Sequence, residues 1–319
     1  MSYTGPEFEP PQPRRPRRGP LTVALAALVP GALLGWVVYE AVGGGGGADR
    51  AASAAPASRT SAAPFGASGS SASPTGSSAA SSSAQDAKGD GAPGSLAGKV
   101  VVIDPGHNQG NFQHTAEINR QVDIGTNKKE CDTTGTSTND GYTEARFTLD
   151  VAHRLRTLLE KQGATVKLTR DGNTPAWGPC VDERARFGNN ARADAAISIH
   201  ADGSAEGDRG FHVILPGSVH AGAADTRKIV GPSTDLGKRI AGNFLRDTGE
   251  PPSNYVGKGT GLVTRTDLGG LNLSTVPKVF IECGNMRDSK DAALLTSGAW
   301  RQKAAQGMSD GIVSFLRES

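Results

Sequence analysis

The sequence lacks a surplus of charge of either sign. Its 34 Lys and Arg stand against 32 Asp and Glu in 319 residues, for a net charge of +2. The balance holds on both sides of residue 97, with 7 basic and 6 acidic side chains before it and 27 and 26 after it. A protein that grips a polyanion concentrates Lys and Arg, so nucleic acid is excluded as a partner. No internal repeat is visible, and no dedicated wall-binding repeat. Large apolar residues are nearly missing between 43 and 97, where Gly, Ala, Ser, Thr and Pro fill 46 of 55 positions. Such a stretch buries too little to offset the entropy of ordering itself, so a disordered linker is expected there. As a flexible coil it reaches roughly 40 Å.

What is present begins ahead of that linker. Leu21 to Tyr39 is a run of 19 residues without a charge, preceded by Arg14, Arg15, Arg17 and Arg18. At about 1.5 Å per residue it is long enough to cross a bilayer core. The arginines keep residues 1–20 cytoplasmic, and Trp36 and Tyr39 suit the far interface, so the rest of the chain faces outward. Ala-x-Ala-like triplets follow, which leaves two readings of 21–42 open: a transmembrane signal anchor or a cleaved signal peptide. Both export the remainder.

The three cysteines agree with export. Cys131 and Cys180 lie in polar, loop-like sequence and can pair in an oxidising compartment, although three free thiols are the alternative. A loop of about 50 residues closed in this way contributes ~4 kcal/mol in the chain-entropy account. Cys283 sits in the apolar run Val279-Phe-Ile-Glu-Cys283 and reads as a small buried hydrophobe.

Residues 98–319 suffice for one well-cored domain. Strands are expected at 99–104, 164–169, 195–199, 211–215 and 278–281. Helices are expected at 144–161, 181–193, about 233–248 and 300–316, where the apolar residues recur with the 3.6 period. Strand and helix alternate, the pattern of an α/β domain with a largely parallel sheet, whose ligand site lies beyond the carboxyl ends of its strands.

The unusual polar residues fall at that edge. His107 follows the first strand, while His200 and Glu282 end two others. Glu144 opens a helix, where the dipole favours a carboxylate. Two imidazoles and one carboxylate with an open fourth position make a catalytic zinc site, and a second carboxylate serves as base. An isolated histidine after a strand is usually structural, but a carboxylate ending an apolar strand is costly to bury without a partner. His114, His153, His212 and His220 read as surface or structural residues. Arg170 and Arg184 lie toward the cleft, with ordinary ion-pair roles as the plain reading. Gly269 to Pro277 is flexible by composition and is a candidate rim loop.

Four motifs occur in order: Val102-Ile-Asp-Pro-Gly-His107, Glu144 before its amphipathic helix, Ile197-Ser-Ile-His-Ala-Asp202, and Val276-Pro-Lys-Val-Phe-Ile-Glu-Cys-Gly-Asn-Met-Arg-Asp288. Together they resemble the zinc-dependent N-acetylmuramoyl-L-alanine amidases of the amidase_3 type, in their actinobacterial branch. The resemblance spans about 99–317. It implies a twisted, mostly parallel sheet flanked by helices on both faces, and hydrolysis of the amide between N-acetylmuramic acid and L-alanine of the peptidoglycan stem peptide. It assigns His107, Glu144 and His200 as ligands of Zn2+ and Glu282 as the catalytic glutamate. The family commonly continues the first motif with glycines and an acidic residue, whereas Asn108-Gln-Gly-Asn-Phe112 stands here. Residues 108–143 are expected to form a hairpin or loop at the cleft rim, held by a Cys131–Cys180 disulfide, with no clear counterpart of the family's autoinhibitory helix. Glu117 and Glu130 are rival carboxylates in that segment, but Glu144 alone opens a strongly periodic helix. The expected protein is an extracytoplasmic monomeric amidase that acts on peptidoglycan and is tied to the cytoplasmic membrane through 21–42. A zinc peptidase cutting within the stem peptide, or an inactive wall-binding or regulatory domain, are the alternatives.

Overall fold

The computed structural model describes residues 96–172 and 174–318. The 21–42 segment and the linker up to residue 95 lie outside the described residues, while Leu96, expected to end the disordered linker, is buried in the core and its N–H donates to the Gln162 carbonyl. Among the described residues no helix is long and apolar enough to cross a membrane.

The chain runs through β1 (Val100–Pro105), a short helix α1 (Thr115–Ile118), β2 (Gln121–Asp123) and β3 (Lys128–Glu130), then α2 (Glu144–Lys161) and β4 (Thr165–Leu168). It continues with α3 (Val181–Ala191), β5 (Ala195–Asp202), β6 (His212–Pro216), β7 (His220–Ala221), β8 (Ala224–Asp225) and α4 (Val230–Thr248). β9 (Leu262–Arg265), α5 (Gly269–Asn272), β10 (Lys278–Asn285), α6 (Ser289–Thr296) and α7 (Gly298–Glu318) complete it. The main sheet has the order β4-β1-β5-β10-β6-β9. Only the β10–β6 pairing is antiparallel. The path from β1 through α2 to β4 steps one way along the sheet, and the path from β4 through α3 to β5 steps back past β1. Right-handed crossovers therefore put α2 and α3 on opposite faces and open a crevice at the carboxyl ends of β1 and β5.

The two faces differ in chemistry. Val101, Ile103, Ile197, Ile199, Val279 and Ile281 pack against Phe147, Val151 and Leu155 of α2, Leu236 and Ile240 of α4, and Met308 and Ile312 of α7. The alternate residues face α3, and only a small apolar group, Val102, Ala193, Ala196 and Val276, lies there. Phe280 and Ile214 extend it, and polar yet buried residues share that face: Asp104, Ser198 and Lys278. Because strand side chains alternate between faces, this polar row leads straight to His200 and Glu282.

Several expectations need correction. β5 and β10 run on to Asp202 and Asn285, so His200 and Glu282 stand within their strands rather than at the last position; the β10 register shifts between Glu282 and Asn285. Gly269 to Pro277 is not an open loop: α5 buries Gly269, Gly270, Leu271 and Asn272. The Asn272 amide donates to the Thr266 carbonyl at 2.8 Å and anchors that turn. β9 and α6 escaped the sequence pattern. β9 is a half-exposed edge strand, and α6 starts where the Asp288 carboxylate accepts the Lys290 and Asp291 N–H groups.

Phe147 is fully buried between α2 and the sheet. Phe147→Ala is expected to lower the unfolding free energy by about 3–5 kcal/mol in urea titration. A loss under about 1 kcal/mol would contradict this packing.

Candidate active site

After Pro105 the chain turns through Gly106 into His107, whose backbone is left-handed at φ 55°. Two buried arginines hold the turn. Arg170 donates to the carbonyls of Pro105 (3.1 Å), Gly106 (3.1 Å) and Ala145 (2.8 Å). Arg184 donates to the carbonyls of Pro105 (2.9 Å) and His107 (3.1 Å), and to the carboxylates of Asp104 (2.7 Å) and Asp132 (2.8 Å). Both arginines, placed toward the cleft by sequence, are thus engaged with the protein itself. A Cβ on Gly106 would stand 2.3 Å from the His200 ring. Glycine is required for that ring to lie over the turn, edge-on to His107 with centroids 4.9 Å apart.

Glu144 opens α2 and is buried. Its Oε1 lies 3.2 Å from His107 Nε2 and 2.9 Å from His200 Nδ1. The same oxygen accepts the Ala201 N–H at 3.2 Å, and Oε2 accepts the Thr136 N–H at 2.9 Å. Gly135, at φ 73°, passes so close that a Cβ would meet Oε2 at 2.8 Å. His107, Glu144 and His200 can each offer one ligand atom, and these atoms all lie within 4.8 Å of one another. Two imidazole nitrogens and a carboxylate oxygen fit the donor set of a catalytic zinc site with an open position. Glu117 and Glu130 are exposed and lie outside this cluster.

Burial disfavours the charged His107 imidazole, but the Glu144 and Asp132 carboxylates outweigh it and hold its proton well above the ordinary range. For Glu144 burial opposes ionisation, while His107 and His200 more than compensate and keep the carboxyl below its usual range. Glu282 behaves in the opposite way. Burial, then the charges of Glu144 and Asp202, push its proton affinity well up. Its Oε2 is buried without a hydrogen-bond partner. Glu282 is in register with His200 on one side and with His212 on the other. A cavity of about 310 Å3 is lined by His107, Glu144, His200, Asp202 and Glu282. Gly135 and Thr136 border both this cavity and a larger groove, about 780 Å3, that runs past Phe112, Tyr142 and Arg146.

The expected Cys131–Cys180 disulfide is formed, it braces the β2–β3 hairpin beside the cleft, and Cys283 is free and buried. His153 pairs with Asp171, His114 with Glu117 and His220 with Asp225, all away from the cluster. His212 is the histidine that sequence reasoning undervalued. It is buried in β6 directly across from Glu282, edge-on to Tyr255, whose hydroxyl donates to Asp202 at 2.8 Å. Within an apolar strand nothing in its neighbours announces this position; only the β6–β10 register does.

The Amidase_3 family model, described as N-acetylmuramoyl-L-alanine amidase, matches residues 101–314. The chain belongs to the Amidase_3 family. It is 44% identical over 226 residues to the N-acetylmuramoyl-L-alanine amidase Rv3717 of Mycobacterium tuberculosis, covering 70% of this chain and 89% of that protein. The crystal structure of the N-acetylmuramyl-L-alanine amidase Ami1 from Mycobacterium smegmatis is similar, with a TM-score of 0.64 and 42% identity over 70% of this chain and 99% of that one. The apo form of Ami1 from Mycobacterium abscessus gives a TM-score of 0.63 and 40% identity over 69% and 99%. This Amidase_3 domain is therefore an α/β hydrolytic domain of the actinobacterial type, and its cell-wall chemistry implies an extracytoplasmic place of action.

The buried His212 generates a pH prediction. Burial lowers its imidazole from 6.5 to about 4. The unfolded chain takes up a proton here near the higher value and the folded chain only near the lower one, so acidification through this window favours unfolding. His212→Leu should remove about 3 kcal/mol of the stability lost by the metal-free protein on going from pH 6.5 to 4. Denaturation midpoints across that range test it; parallel profiles for parent and variant would contradict it.

Proposed function

We propose that the cluster holds Zn2+ through His107, Glu144 and His200, and that Glu282 is the general base in hydrolysing the amide between the lactyl group of N-acetylmuramic acid and L-alanine. The observation that carries this reading is Glu282 itself: a buried carboxylate oxygen without a partner, in the same cavity as the three converging donors. When bound in such a set, zinc supplies Lewis acidity, drawing the pKa of a water toward neutrality and polarising a carbonyl oxygen.

The chain's own residues do the rest. Glu144 is fixed by the Thr136 and Ala201 N–H groups, so it contributes a single oriented oxygen. His200 is stacked on Phe280 at 5.3 Å, which sets its ring plane. Glu282, with its raised proton affinity, takes a proton from the attacking water at its free oxygen and returns it to the departing alanine nitrogen. The open groove past Phe112 and Tyr142 gives room for a polymeric substrate beside the reacting bond. The names of the relatives support the choice of bond, and the donor set supports the choice of metal.

Residues 1–20 as a cytoplasmic tail, 21–42 as a membrane anchor and 43–97 as a spacer complete the proposal, with 98–319 as the catalytic domain working as a monomer. The support is the uncharged run behind four arginines. The full chain should sediment with membranes and come off in detergent but not in high salt. A shortened chain in the medium would show a cleaved signal instead.

Glu282→Ala should retain bound zinc and lose at least about 100-fold in turnover of a soluble muropeptide. The parent should free an L-alanine amino terminus, leave the sugar chain intact and stop on chelation. Cleavage within the stem peptide, or near-parental turnover by Glu282→Ala, would overturn the assignment.

A further inference from the structure

We propose that Asp132 is a positioning residue for His107, kept in place by the Cys131–Cys180 disulfide. The inference rests on the zinc reading above. A histidine that gives Nε2 to a metal carries its proton on Nδ1, and the group receiving that proton sets the ring's tautomer, orientation and basicity. In this protein Nε2 of His107 faces Glu144, and Nδ1 faces one short strip of chain, Cys131-Asp132-Thr133. Nδ1 lies 3.1 Å from the Thr133 carbonyl, 3.2 Å from the Thr133 hydroxyl and 3.3 Å from Asp132 Oδ1. The Asp132 carboxylate and the Thr133 carbonyl share the N–H, and the carboxylate's charge makes the imidazole a more basic donor.

That strip comes from the segment between β3 and α2, which has no regular structure of its own at these residues. Its position is imposed from several sides. Cys131 is bonded to Cys180, the residue that caps α3. The Cys131 carbonyl accepts the Val181 N–H at 2.7 Å, and the Asp132 N–H donates to the Ile118 carbonyl at 3.2 Å. Asp132 Oδ1 accepts the Thr133 N–H at 2.8 Å, while Oδ2 accepts Arg184 at 2.8 Å. Arg184, one turn into α3, is tied in turn to Asp104 on β1. The disulfide therefore joins the element carrying Arg184 to the residue next to Asp132, and β1, which delivers His107, is gripped by the same arginine. Asp104, Ile118, Cys131, Asp132, Cys180 and Arg184 are buried. A disulfide placed for stability alone has no need to adjoin the residue flanking a metal-binding histidine.

The test is the zinc dissociation constant of the detergent-solubilised full chain, measured by competition with a fluorescent chelator, together with the thermal midpoint of the metal-free form. Asp132→Asn is expected to weaken zinc binding about 10-fold or more. Cys131→Ala with Cys180→Ala is expected to act in the same direction. Leu236→Ala, a core truncation on α4 that touches none of these groups, is expected to lower the midpoint and leave the zinc constant within about threefold. Equal zinc affinity in parent and Asp132→Asn overturns the role of Asp132 alone, as does a Leu236→Ala loss matching that of Asp132→Asn. A parent chain that takes up no zinc overturns the metal assignment and this inference together. Should Asp132→Asn not fold, Asp132→Glu is measured in its place: weakened zinc binding with a parental midpoint supports the proposal, and parental zinc affinity overturns it.

Discussion

The structure is organised around the burial of one charged carboxylate. Glu144 sits out of water at the start of a helix, and an ionised carboxylate is tolerated there only if it is fully engaged. Two imidazole nitrogens, two backbone N–H groups and a helix N-terminus meet that demand. The local backbone is shaped to let them converge. Gly106 makes space for the His200 ring, Gly135 makes space for Glu144, and His107 accepts a left-handed conformation. The proposed metal site gives these costs a use.

Glu282 shows the complementary choice. It lies one strand from His200, but no donor faces its free oxygen, so burial and neighbouring negative charge raise its proton affinity. Two carboxylates in one cavity thus have opposite proton affinities because one is hydrogen-bonded and the other is not. In the proposed roles a ligand has to stay ionised and a base has to exchange its proton, and the environments separate the two along that line. Beneath them, Asp104, Arg184 and Lys278 carry charge through the α3 side of the sheet, with Lys278 Nζ 3.6 Å from Asp104. Such buried pairs add little net stability against an apolar replacement, but removing one partner is costly. They fix the position of the turn that carries His107.

Much of this was legible in the sequence where a local pattern carried it. The 3.6 period and its first acid place α2 at Glu144–Lys161, and that choice of glutamate over Glu117 and Glu130 puts the carboxylate where the histidines are. Buried strands announce themselves as apolar runs, and the histidines that follow or interrupt them stand out. What was not legible depends on pairing at long range. Asp104 and Arg184 are 80 positions apart, and nothing near either says that they meet. His212 looks like an ordinary strand residue until β6 is set antiparallel to β10. The Gly269–Pro277 stretch reads as flexible, yet its glycines are packing contacts in a buried turn. β9 is half-exposed and lacks the apolar run that marks an inner strand.

Two histidines and one glutamate are proposed to form a nitrogen- and oxygen-lined zinc site at the carboxyl edge of the sheet. X-ray absorption of the zinc-loaded full chain tests it most directly. A shell of two imidazole nitrogens at about 2.0–2.1 Å with oxygen completing it and no sulfur is expected. Scattering from sulfur at about 2.3 Å, or a shell without imidazole, would contradict it.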